Sequence, residues 1–148
     1  MSHQPRPCMI FIMQGLAILC GKVAKTMKIL FSINPKHVEN ILSGRKMVEY
    51  RKTKCRRKVD TVLIYSTAPV QMVVAQAHLK GILVDKPERI WEQTKEVSGI
   101  SHHFFSQYFS RKEYAVAYEL EDVKEFTTPR PLRDFGIDYV PQSFAYVD

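Results

Sequence analysis

Between residues 28 and 147 the apolar residues keep returning to a two-residue period, and no helical period outlasts two or three turns. In KILFSI (28–33), Ile29, Phe31 and Ile33 share one face. Residues 114–121 alternate, with Tyr114, Val116, Tyr118 and Leu120 on one face and Ala115, Ala117, Glu119 and Glu121 on the other. VDTVLIYS (59–66) is apolar on both faces, as in a buried strand, and the long apolar segment 71–84 contains Gly81, which predicts a bulge or bend. Residues 46–51 and 144–147 complete about six strands.

The helical signals are short insertions. Asn34-Pro35 offers a cap and a first-turn proline, Val38, Ile41 and Leu42 form a stripe, and Gly44 terminates a helix over 35–43. Asp85 with Glu88 resembles a capping box opening a helix that carries Ile90 and Trp91. Ser101 caps another, whose Phe104, Phe105, Tyr108 and Phe109 at i, i+4 spacing read as core rather than a stacking platform. Residues 127–142, with Pro129, Pro131 and Pro141, predict a loop with one helical turn around Leu132–Phe135. The class is α+β: a small, curled or closed β-barrel, since closure removes exposed sheet edges.

Charge is concentrated rather than spread. The chain carries +7 overall, residues 45–58 alone carry +7, residues 1–26 carry +3, and the remainder is −3. An acidic body with one basic stretch is what a phosphate-contacting face requires, so Arg45, Lys52, Lys54, Arg56, Arg57 and Lys58 are candidate phosphate contacts. The competing reading is a solvated basic turn.

Residues 1–26 are set apart as an N-terminal extension. Cys8–Cys20 is an apolar run too short to span a bilayer, so no membrane partner is expected. Arg6 before it gives a weak signal-peptide pattern, and Met27, where the strand-like segment begins, is an alternative start. The domain is then 27–148. Three cysteines without paired spacing argue against a disulfide framework and for the cytoplasm. Cys55 lies between Lys54 and Arg56, neighbours that favour a reactive thiolate, although a bystander role is the commoner outcome.

The chemistry centres on Gly44-Arg45-Lys46-Met47-Val48-Glu49-Tyr50-Arg51. On a strand, Glu49 and Arg51 share a face. Lys46 joins them only if the turn after Gly44 twists it round, which glycine permits. Cations around Glu49 favour its ionised form, suited to orienting Arg51 or accepting from a base amino group. Cations around Lys46 disfavour its ammonium, so desolvation would make it a base or nucleophile. Tyr65, where a strand runs into Ser66-Thr67, is a candidate cleft wall. His3, His37, His78, His102 and His103 show no metal-ligand spacing and no Gly-rich phosphate loop is present, so no metal or cofactor is expected.

Gly-x-Lys-x-x-Glu-x-Arg is the signature of the ASCH domain family, relatives of the PUA fold, and this sequence resembles it at Gly44, Lys46, Glu49 and Arg51. Family-like features flank the motif: the preceding helix, Tyr65-Ser66-Thr67-Ala68-Pro69-Val70, and Pro141-Gln142-Ser143-Phe144. The resemblance covers about residues 28–147. It implies a small PUA-like barrel whose cleft binds RNA or a modified nucleotide through Gly44, Lys46, Glu49, Arg51, Tyr65 and Thr67. Some relatives are amidohydrolases of acylated cytidine with the motif lysine catalytic, and others are linked to RNA cleavage. Lys46 and Glu49 would be the catalytic pair if the chain is an enzyme. In the amidohydrolase branch a threonine stands at the position of Glu49, and a further catalytic glutamate comes from a later helix. Glu88 and Glu92 are the candidates for it.

Overall fold

A computed structural model of the chain describes residues 27–148 and a two-stranded antiparallel pairing of β1 (Ile18–Leu19) with β2 (Lys22–Val23). The expectations for residues 1–26 otherwise lie outside the described residues. The domain is a six-stranded mixed sheet made by β3 (Met27–Ile33), β4 (Val48–Arg51), β5 (Val59–Ser66), β6 (Met72–Asp85), β7 (Ala115–Arg130) and β8 (Phe144–Val147), in the order β4-β7-β6-β5-β3-β8. Only β3 and β5 run parallel. Three helices are inserted: α1 (Pro35–Leu42), α2 (Pro87–Thr94) and α3 (His102–Tyr108).

The α+β class and the strand count are as expected, but the sheet does not close into a barrel, because β4 and β8 stay unpaired with one another. Closure by backbone ladder is replaced by a side chain. Arg51 on β4 reaches across to Ser32 on β3 and to Ser143, the residue before β8. Short strands are also not the rule: β6 has 14 residues and β7 has 16. The latter runs past Pro129 to Arg130, which pairs with Val73, so the expected loop begins only after it. The helical turn at Leu132–Phe135 is present.

Alternation sorts the core. Ile29, Phe31 and Ile33 of β3 pack with Val62 and Ile64 of β5 and with Val116, Tyr118 and Leu120 of β7. Leu30, Leu63 and Tyr65 face a second cluster containing Ile137 and Val147. The two buried faces of β5 thus appear as two clusters. The opposite face of β7 is not solvated at its start either: Ala115 and Ala117 are buried with Ile90, Phe105 and Phe109 beneath α2 and α3. Gly81 falls where the β6–β7 register shifts, as its place in the strand predicts.

At α1, Asn34 Oδ1 accepts from the Lys36 N–H at 2.9 Å, and Pro35 occupies the first turn. The capping box at α2 does not form. Pro87 opens that helix, which moves the cap position to Lys86, and Asp85 Oδ1 accepts from the Lys86 N–H outside the helix. Ser101 caps α3 by accepting from the Phe104 N–H.

The basic segment after β4 is a loop with a pinned backbone. The Cys55 N–H donates to Tyr118 Oη at 2.7 Å, the Tyr118 hydroxyl donates to the Thr53 carbonyl, and the Arg56 N–H donates to Tyr146 Oη. Burial pushes the Tyr118 hydroxyl well above its ordinary range, which keeps it a donor. Cys55 is itself buried, which takes its sulfur out of the exposed setting a reactive thiol needs.

Candidate nucleotide-binding cleft

The site begins at the end of α1. Gly44, at φ +85°, turns the chain so that the Lys46 N–H donates to the Asn40 carbonyl and the Met47 N–H to the Val97 carbonyl. The strand proper starts only at Val48, so Lys46 is free of the strand's alternation and its side chain comes round to Glu49.

Lys46 Nζ donates to the Ser98 carbonyl at 3.1 Å, lies 3.7 Å from Glu49 Oε1, and sits 4.9 Å from the centre of the Tyr50 ring. Glu49 Oε2 accepts from Arg51 Nη2 at 2.7 Å. The same Nη2 donates to the Ser32 carbonyl at 2.9 Å, while Nη1 reaches Ser143, and the guanidinium lies over Phe31. Lys46, Glu49 and Arg51 are only 2%, 7% and 8% exposed. Two basic side chains share one carboxylate where little water reaches. Burial accordingly pulls the Lys46 ammonium pKa below its usual value, with Glu49 opposing the shift.

The cluster floors an open cleft of about 1040 Å³. Its walls are the end of β3 (Ser32, Ile33), α1 (Lys36, His37, Asn40), the turn at Gly44 and Arg45, the segment Lys95–Ser101, and Phe104 and Tyr108 of α3. Asn40 ties two walls together: Nδ2 donates to the Gly99 carbonyl, and Oδ1 accepts from Arg45 Nε and Nη2.

The expected site residues therefore separate. Gly44, Arg45, Lys46, Glu49 and Arg51 border the cleft. Arg51 is committed to protein partners at its floor rather than lying on a phosphate-contacting surface. Tyr65 and Thr67 are elsewhere; Tyr65 is buried in the second cluster, and the Thr67 N–H donates to the Ile33 carbonyl. Lys52, Lys54, Arg56, Arg57 and Lys58 are exposed on the pinned loop, with Lys52 Nζ 4.6 Å from the centre of the Tyr108 ring. Glu88 and Glu92 do not line the cleft, whereas Glu96 does.

Sequence reasoning missed His37, Asn40, Glu96, Ser98 and Gly99. His37 is half-buried; desolvation, then the Lys46 charge, pull its pKa below 6.5, leaving a neutral imidazole at pH 7. Its signal was position: at i, i+3 from Asn40 it shares a face of α1. Ser98 and Gly99 had none, since they meet Lys46 only through the fold.

Tyr50 supports the floor from beneath, its hydroxyl 2.6 Å from Thr94 Oγ1. Burial pushes its pKa up to about 12 from an ordinary 10. A phenol whose folded pKa is raised contributes stability that is complete below pH 10 and is lost as pH rises toward 12. Urea unfolding at pH 9 and pH 11 is expected to show the parent losing about 1 kcal/mol more than Tyr50→Phe over that interval. Equal losses would mean that the phenol is not desolvated in the fold.

The molecule is thus an open six-stranded α+β domain with a buried Lys–Glu–Arg cluster flooring a basic cleft. The chain belongs to the ASCH domain family, whose model matches residues 31–127. It is similar to the crystal structure of ASCH from Zymomonas mobilis, with a TM-score of 0.74 and 25% identity, covering 82% of this chain and 87% of that one. It is also 26% identical over 114 residues to an ASCH domain-containing ribonuclease of Zymomonas mobilis, covering 76% of this chain and 73% of that protein. Over 120 residues it is 29% identical to ATP synthase subunit alpha of Ureaplasma parvum serovar 3, which takes in 80% of this chain but only 15% of that protein. No helix among the described residues is long and apolar enough to cross a membrane.

Proposed function

We propose that this chain is an RNA-binding module whose cleft receives a base or modified nucleotide over Lys46, Glu49 and Arg51, while Arg45 and the loop cations Lys52, Lys54, Arg56, Arg57 and Lys58 contact phosphates. The observation that carries this reading is a buried Lys–Glu–Arg cluster at the bottom of a cleft of nucleotide-binding size, beside a loop whose backbone is fixed and whose cations face solvent. Buried side-chain polar atoms without a partner number two among the described residues, His37 Nδ1 and Arg51 Nε, and both belong to cleft residues. Native interiors give such atoms a protein, water or ligand partner, so a bound nucleotide has two polar atoms here to satisfy.

The test is a titration of a labelled RNA oligonucleotide at several salt concentrations. Log affinity should fall linearly with log salt, by about 0.7 per phosphate neutralised on a single strand. Replacing Lys54, Arg56, Arg57 and Lys58 by Gln should reduce the slope by about 3. A salt-independent affinity sinks the reading.

RNA cleavage is the second reading, favoured by the ribonuclease relative and by a buried lysine with a lowered pKa beside a neutral imidazole. Cleavage abolished by Lys46→Met while RNA binding persists would support it. The amidohydrolase reading has less behind it: glutamate stands where that branch has threonine, and neither Glu88 nor Glu92 borders the cleft. Turnover of N4-acetylcytidine by the parent and not by Lys46→Ala would reinstate it.

A further inference from the structure

We propose that Phe104 is a base-stacking surface, so that the cleft takes an unpaired base of single-stranded nucleic acid and not a duplex; this rests on the nucleic-acid reading above. Helix α3 has two aromatic stripes: Phe105 and Phe109 belong to the core, and on the other stripe Tyr108 packs against that core while Phe104 does not. Phe105 and Phe109 are buried, with ring centres 4.7 Å apart, and Phe105 also packs 4.9 Å from Tyr50 and 5.0 Å from Trp91. That stripe suffices to seat a seven-residue helix.

Phe104 is on the other stripe and 47% exposed, yet it lines the same cleft as the buried cluster. Its aromatic neighbour is the His37 ring at 5.5 Å, nearly edge to face. Water-exposed apolar area at the mouth of a charged cleft costs free energy that a stacked base would recover.

Depth decides strandedness. The donors and acceptor of the motif, on Lys46, Arg51 and Glu49, are each more than nine-tenths buried at the cleft floor. In an A-form duplex the Watson–Crick edges are paired and the surface presents phosphates and 2′-hydroxyls, so its bases cannot descend to that floor. An unpaired base can, with one face on Phe104. Tyr108, four residues on along the same wall and covered by Lys52, leads the neighbouring phosphate toward the basic loop.

Fluorescence anisotropy with one RNA 12-mer, presented single-stranded and annealed to its complement, tests this on the parent, Phe104→Ala, Phe104→Leu, Phe104→Trp and, as a control outside the cleft, Tyr139→Ala. The single strand should bind the parent more tightly than the duplex. Phe104→Ala and Phe104→Leu should each weaken it about 5- to 150-fold, Phe104→Trp should retain it, and Tyr139→Ala should match the parent. Duplex binding as tight as the single strand, or Phe104→Leu binding like the parent, overturns the inference while leaving an RNA-binding module. Absence of binding by any oligonucleotide overturns the nucleic-acid reading and this inference with it.

Discussion

Arg51→Ala is expected to lower the unfolding free energy by about 3–5 kcal/mol, the cost of breaking a buried ion pair by removing one partner. Glu49 would lose its 2.7 Å partner and keep only Lys46 at 3.7 Å. The carbonyls of Ser32 and Ser143 would lose their donors, and with them the link between the two edges of the open sheet. Arg51→Lys should recover little, because a single ammonium cannot reproduce the fork that meets Glu49, Ser32 and Ser143 together. Replacing all three charges at once, by Lys46→Met, Glu49→Leu and Arg51→Met, should cost much less than Arg51→Ala, since no uncompensated charge is left behind. Equilibrium urea unfolding gives all three values. A loss below 1 kcal/mol for Arg51→Ala would show that the guanidinium does not tie the sheet edges.

Gly99→Ala is the second large effect, about 2–4 kcal/mol, from a residue with no side chain. Gly99 adopts φ +68°, where an L side chain is strained, and an added Cβ would clash with Lys46 Cβ and come within 3.1 Å of Lys46 Cα. Neither contact is the far end of a flexible chain, so the segment 98–100 must retreat. That movement withdraws the Ser98 carbonyl from Lys46 Nζ and loosens the Asn40–Gly99 tie. If the cleft binds RNA as proposed, that affinity should fall along with stability. By contrast Gly44→Ala meets nothing within 4 Å and should cost only the strain of its own left-handed backbone. A Gly99→Ala protein as stable as the parent would show that the turn does not pack on the lysine stem.

Much of the fold was legible because short-range physics fixed it. The two-residue period marks the strand at 28–33, a short run apolar on both faces marks that at 59–66, and the Asn34-Pro35 cap marks the start of α1. Strands came out wrong where tertiary pairing extended them: β7 continues through Pro129 because it gains a partner at Val73. Lys86 displaces the apparent capping box because Pro87 takes the first helical position, which leaves Asp85 outside the helix and Glu88 one place short of its box position.

The site divided along the same line. The motif residues Lys46, Glu49 and Arg51 lie within one short segment, so a glycine turn and strand alternation were enough to bring them together. Tyr65 could not be sited from sequence, since the β5 strand is buried on both faces and its alternation does not say which face carries the cleft. The rings of α3 posed the same ambiguity, and packing against Tyr50 and Trp91 chose Phe105 for the interior and left Phe104 outside.

Local order along the chain accounts for a set of strands, their short helical insertions, and a charged cluster built by one turn. Long-range packing leaves the sheet open, lets Arg51 span its edges, and brings up the carbonyl of Ser98, 52 residues from Lys46 along the chain, to accept a hydrogen bond from the lysine ammonium. The reason is range. Turn geometry and alternation act between neighbours, whereas burying a charge requires partners from every wall of the cavity at once, and those walls exist only after the chain has folded.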